Sequence, residues 1–284
     1  MIVHFPAYRN FTAVRRMAND GMMALLIGKR LGSAELEKNE DKSILLPKIY
    51  KDLEGIKKLN RSVDDAIKIL EESEKDFAYM AIPYALAIYS TLLIEIAQIL
   101  RDNHLEPYEI EPINDLTKLP LEIAHEYIAD CCHESFDEVY LPLFHVARRL
   151  RNRIIHRGGA PSSNIDYQDL DSKAKKIWVA AAKRPLSDAM PHDQLLLRDS
   201  EVIAVLAVCR RLAAQANSMV ARAVDSKLYW AAIVTCDYLH EYPQKIKQPE
   251  RLIKHLRGYA KVRYQPLQLS DEELQLALDK ELGT

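Results

Sequence analysis

The residues best equipped for chemistry lie in one run, Arg148-Arg149-Leu150-Arg151-Asn152-Arg153-Ile154-Ile155-His156-Arg157, followed by Gly158 and Gly159. Arginine offers paired N–H donors in a planar fork that fits phosphate oxygens. Histidine is the side chain that exchanges protons near neutral pH. Anion-binding donors beside a proton-exchanging group are the least equipment needed to cut an RNA backbone without a metal. The elements that position these groups follow from the pattern around them. Leu141, Leu143, Phe144, Val146, Ala147, Leu150 and Ile154 predict a helix with one buried side, from about Ser135 to His156, ended by the glycine pair. On such a helix His156 shares a face with Asn152, Arg153 and Arg149, whereas Arg151, five residues back, lies about 140° round the axis. Arg151 and His156 converge if the helix end unwinds, or if two copies of the helix meet across a symmetry axis.

Other chemistry is not encoded. The chain has no Walker-type glycine-rich loop, no Gly-x-Gly-x-x-Gly, no Gly-x-Ser-x-Gly and no His-Glu-x-x-His. Cys131 and Cys132 lie near His125 and His133, but adjacent cysteines without a second Cys-x-x-Cys pair are a weak zinc signal, so no metal and no cofactor is expected. The net charge of −2 over 284 residues gives no global attraction to nucleic acid, so any electrostatic footprint is local. Four cysteines do not form a secreted disulfide framework, and the N-terminus lacks a signal-peptide pattern, so a reduced, cytoplasmic setting is expected. The most apolar window, Ala81 to Leu100, contains Pro83, Glu95 and Gln98, which fits a core helix and not a membrane span.

Only eight glycines, with abundant Leu, Ala, Ile, Glu and Lys, point to an all-α chain. A helix is expected from about Asn10 to Leu31, capped by Gly32, then a charged loop over 34–43 and a second helix from about Pro47 to Leu59. Ser62 and Asp65 read as a capping-box variant that opens a long helix, kinked or interrupted at Pro83 and running to Arg101. Glu95 lies inside that apolar helix, where a carboxylate is costly unless paired. It either faces a solvated edge or caps a neighbouring arginine, or it pairs with an arginine of the 148–153 cluster and orients it. Further helices are expected over 121–132, 195–223 and 228–242, and 166–182 reads as a short helix or a partly ordered stretch. A basic stretch, 244–263, reads as a solvated helical face or an RNA track, and Ser270-Asp271-Glu272-Glu273 caps a last short helix.

Arg151-Asn152-Arg153-Ile154-Ile155-His156 resembles the Arg-x-x-x-x-His signature of the HEPN superfamily, in the form with a polar residue after the arginine that is common among its ribonuclease members. An apolar helix with an acidic position (Glu95) before the signature, and an apolar helix (195–223) after it, extend the resemblance over residues 62–225. The resemblance implies an all-α, HEPN-like helical bundle at 62–225, flanked by helical extensions at 1–61 and 226–284. It implies a homodimer through the signature helices and metal-independent endoribonuclease activity, with 2′-hydroxyl attack giving a 2′,3′-cyclic phosphate and a 5′-hydroxyl. His156 would be the general acid/base, Arg151 the phosphate and transition-state stabiliser and Asn152 an orienting group. Arg149, Arg153 and Arg157 would contact substrate, with Glu95 as an orienting carboxylate. RNA is the expected partner, no membrane is expected, and a protein antitoxin or regulator fits a toxin or phage-defence effector. Gly158 stands where some members carry a modifiable tyrosine, so that form of regulation is not expected. The alternative is a catalytically inactive HEPN-like module that binds nucleotide or protein, with Arg151 and His156 in a structural polar network.

Overall fold

In a computed structural model the chain is all-α: the described residues form eleven α-helices and no strand. These residues are 3–111, 113–157, 167–191, 195–244 and 249–283. The helices are α1 (Pro6–Glu37), α2 (Leu46–Ile49), α3 (Val63–Asp102), α4 (Ala124–Cys132), α5 (Tyr140–Arg157), α6 (Ser172–Ala182), α7 (Leu186–Ala189), α8 (Asp199–Ala223), α9 (Lys227–Glu241), α10 (Pro249–Arg263) and α11 (Asp271–Leu282). The chain divides into two compact units, each assembled from separated segments. One comprises Met1–Thr12, Tyr89–Glu138 and Arg210–Thr284; the other comprises Ala13–Ile88 and Val139–Cys209. Helices α1, α3 and α8 contribute residues to both.

The unit that carries α5 is built on apolar stripes at helical spacing. Ala78, Ile82 and Leu86 of α3, Leu143, Val146, Ala147 and Leu150 of α5, Trp178 of α6 and Val202, Val205 and Leu206 of α8 are all buried. A smaller cluster of Leu36, Leu46, Ile56, Val63 and Ala66 draws on both sides of residue 61. Ser62 caps α3, its hydroxyl accepting from the Asp65 N–H at 3.1 Å. Glu201, fully buried near the start of α8, accepts from Arg184 Nε at 2.7 Å and Nη2 at 2.6 Å and from the Arg198 N–H at 2.7 Å.

The other unit closes around its N-terminal segment. The buried Asn217 amide accepts from the Phe5 N–H at 3.0 Å and donates to the Val3 carbonyl at 2.8 Å. The Phe5 ring stacks on Trp230 with centroids 4.3 Å apart. Helices α9, α10 and α11 pack on one another. Asp237 gathers Arg9 at 2.6 Å and the Tyr264 hydroxyl at 2.9 Å, with Tyr259 also donating to it. Ser270 and Glu273 form the full capping box expected for α11.

Several boundaries differ from the sequence-based expectations. Helix α1 begins at Pro6 and runs through Gly32 to Glu37; Pro6 has the fixed φ that suits a first helical residue. Helix α3 continues through Pro83 without interruption. Only Leu46–Ile49 is α-helical in the expected 47–59 helix, followed by a 3₁₀ turn at Ile56–Lys58. Helix α5 begins at Tyr140, not Ser135, because Gln215 holds the preceding segment: it accepts from the Asp137 N–H at 2.9 Å and donates to the Ser135 carbonyl at 3.0 Å.

Among the described residues α3 alone is long and apolar enough to cross a membrane by length and composition. Its apolar side chains Ile82, Leu86, Tyr89, Leu93, Ala97 and Leu100 are buried in protein, whereas Ile69, Met80 and Tyr84 are exposed.

Candidate functional site

The arginine–histidine run occupies the last turns of α5, which remains regular through Arg157. Its apolar side is pinned by the buried Leu143, Phe144, Val146, Ala147, Leu150 and Ile154. That burial fixes the rotation of the helix and so decides which groups reach solvent. His156 is exposed in the final turn, and the apolar Ile155 beside it is 48 % exposed. Arg148, Arg149, Arg151 and Asn152 are half-buried. Arg153 is only 5 % exposed. Its charge acts on the Tyr79 phenol, which burial pushes up and Arg153 draws back down. Arg153 therefore stands apart from the surface groups of the run. The side chain of Arg157 and the glycine pair, Gly158 and Gly159, lie outside the described residues.

The helix does not unwind between Arg151 and His156, so their Cα positions keep the separation of about 140° that helix geometry gives. Asn152 narrows this gap. Its Oδ1 accepts from Arg151 Nη1 at 3.0 Å, drawing the guanidinium round toward the helix face that Asn152 shares with His156. The result is an oriented arginine one turn below an exposed histidine. These two groups can hold a phosphate oxygen and move a proton beside it.

Glu95 belongs to the other unit, where it is half-buried against a cavity together with Asn10, Gln98, Arg101 and Tyr229. It makes no hydrogen bond or ion pair among the described residues, and burial holds its carboxyl above the usual carboxylate range. A carboxyl raised in the folded state binds its proton more tightly there than in the unfolded chain, so stability is lost as pH rises above the ordinary carboxylate value. Glu95→Gln is therefore expected to melt above the wild type at neutral pH. The gap should close as pH falls below the ordinary carboxylate range; thermal melts across the acid range check it.

In the cysteine–histidine group near α4, His125, Cys131 and Cys132 are buried and His133 is exposed. His125 is buried and its Nε2 lies 2.8 Å from the Tyr89 hydroxyl. Burial pushes the Cys131 and Cys132 thiols up to about 12, which keeps them protonated, whereas metal ligation and nucleophilic attack need thiolates. No three His, Cys, Asp or Glu side chains converge as a metal-holding group among the described residues.

In the basic C-terminal stretch, α10 buries Leu252, Leu256, Tyr259 and Ala260. Two of its cations are engaged in ion pairs, Arg257 with Asp271 and Arg263 with Glu241 at 2.7 Å. Lys245 and Lys247 lie outside the described residues.

The Asp237 network, the Arg184–Glu201 pair and the cavity beside Glu95 left no readable signal in the sequence, since each joins residues far apart along the chain. No family model, no curated protein and no solved structure matches this chain.

Proposed function

We propose that this chain is a metal-independent endoribonuclease of HEPN type. The observation that carries the reading is the hydrogen bond from Arg151 to Asn152, which turns the guanidinium toward the face of the exposed His156. In this reading Arg151 binds the scissile phosphate and stabilises the charge that develops on its oxygens. His156 moves the proton between the 2′-hydroxyl, which attacks the phosphorus, and the 5′-oxygen, which leaves. The products are a 2′,3′-cyclic phosphate and a 5′-hydroxyl. Arg149 and the half-buried Arg148 add positive charge along the RNA backbone. Ile155, apolar and exposed beside His156, is where a second copy of α5 would be covered, so the site is read as a cleft between two chains. Such an enzyme fits a toxin or phage-defence effector held in check by a protein regulator.

The test is incubation of the purified protein with bulk RNA in excess chelator, followed by end-group analysis. Cyclic-phosphate and 5′-hydroxyl ends are expected. Cleavage that requires a divalent ion, or that leaves 5′-phosphate ends, defeats the reading. Specific activity should also fall on dilution, as a site shared between two chains requires; activity per chain that stays constant down to the lowest assayable concentration removes the shared cleft.

A further inference from the structure

The unit containing α9 to α11 holds a cavity of about 690 Å³, a volume suited to a small organic molecule. Its walls come from the start of α1, the end of α3, the segment 114–117 and α9. Ile94, Ile99, Leu116 and Ile233 make it largely apolar, and Tyr229 also lines it.

The polar groups around this cavity are not equivalent. Arg101 is held in place by two neutral acceptors, donating to Gln98 Oε1 at 2.5 Å and to the Asn114 carbonyl at 3.2 Å. Gln98 in turn donates to Asp102 at 2.5 Å. Asp115 caps the 3₁₀ turn Leu116–Lys118, accepting from the Thr117 N–H at 3.1 Å and hydroxyl at 2.6 Å, and pairs with Lys118 at 3.1 Å. Glu95 is different. It has neither hydrogen bond nor ion pair among the described residues, yet it sits half-buried in an apolar wall where a carboxylate lacks compensation. Glu95 is thus the carboxylate of the lining that has no hydrogen-bonded or ion-paired partner among the described residues.

We propose that this cavity binds a small organic cation, an apolar body carrying a primary ammonium group, with Glu95 as its counter-ion. The apolar walls take the body. The ammonium supplies the charge-assisted hydrogen bonds that Glu95 lacks. An anionic ligand would meet the Glu95 carboxylate, which has no hydrogen bond or ion pair among the described residues. The site is independent of the α5 reading, since no residue of α5 lines it.

The test uses three probes of similar shape, 2-phenylethylamine, 2-phenylethanol and 3-phenylpropanoate, titrated into the full chain at neutral pH by calorimetry or ligand-observed NMR. The amine is expected to bind at least about tenfold more tightly than the alcohol, the scale of a charge-assisted hydrogen bond, and the carboxylate more weakly than either. Glu95→Gln, nearly isosteric, should bring the amine to within about twofold of the alcohol. Ile233→Trp, which fills the cavity, should remove binding of all three. The proposal is overturned if the alcohol or the carboxylate binds as well as the amine, if the amine preference survives in Glu95→Gln, or if the folded wild type binds none of the probes at millimolar concentration.

Discussion

Replacing His156 with alanine is expected to lower RNA cleavage by about 10²–10⁴-fold, the range spanned by a positioned general acid/base. The side chain is exposed, at the end of a helix whose buried stripe does not include it, so the variant should fold and melt like the wild type. Loss of activity with an unchanged melt separates chemistry from structure. Added imidazole should restore part of the rate, because a free base can occupy the vacated position. Arg151→Ala should cost about 10²–10³-fold, the scale of a lost donor to developing negative charge, with no rescue by imidazole. Asn152→Ala leaves both reacting groups in place and releases the Arg151 guanidinium from its hydrogen bond. Its effect should be smaller and appear mainly in the turnover number. If His156→Ala cleaves at the wild-type rate, α5 is not the catalytic element, and the chain is better read as a binding module.

The largest expected effect on stability is at Glu201, which is fully buried and receives Arg184 through two nitrogens and the Arg198 N–H. Arg184 also donates to the Leu196 carbonyl, so one carboxylate and one guanidinium fix the segment entering α8. Glu201→Ala would leave a guanidinium only 14 % exposed without its counter-ion. Breaking a buried pair from one side costs about 3–5 kcal/mol, because the remaining charge is stranded. Urea denaturation should show a lower midpoint at unchanged slope. Glu201→Gln keeps shape and some hydrogen bonds, and should fall between. A drop no larger than that of a surface substitution would mean that water reaches Arg184. By comparison, removing the exposed Lys68–Asp64 pair should shift the midpoint little, because such pairs are screened by solvent.

How much of this was legible in the sequence depends on the range of the interaction involved. Signals carried within one turn were readable. The Ser62 cap, the Ser270–Glu273 box and the apolar stripe of α5 appear where local pattern places them. So did the all-α class, which follows from composition. Helix ends set by distant partners were not readable. The ends of α4 at Cys132 and of α6 at Ala182 are not among them: both fall where the sequence places them, although the caps that follow, His133 and Lys183, take the left-handed conformation without glycine. Gln215 delays the start of α5 from 78 residues away. In the candidate site, the identity of Arg151, Asn152 and His156 was legible. The bond that turns Arg151 toward the histidine face was not, because helix periodicity fixes Cα directions and not where a long side chain points. Glu95 stood out as a carboxylate in an apolar helix, but the cavity it faces is built from four stretches that only the folded chain brings together.

The clamp of Asn217 on Val3 and Phe5 has a consequence for biosynthesis. The ribosome delivers the N-terminal segment first and its amide partner only after a further 212 residues. Every residue of the unit that carries α5 has been made before Asn217 is reached. That unit can therefore condense while Val3, Phe5 and the start of α1 still wait, their backbone groups served by water. Closing so long a loop comes late, since its entropy must be met before the contact returns anything. Slow translation between α5 and α9 would lengthen the interval in which the aromatic face of Phe5 is uncovered and open to capture by a chaperone.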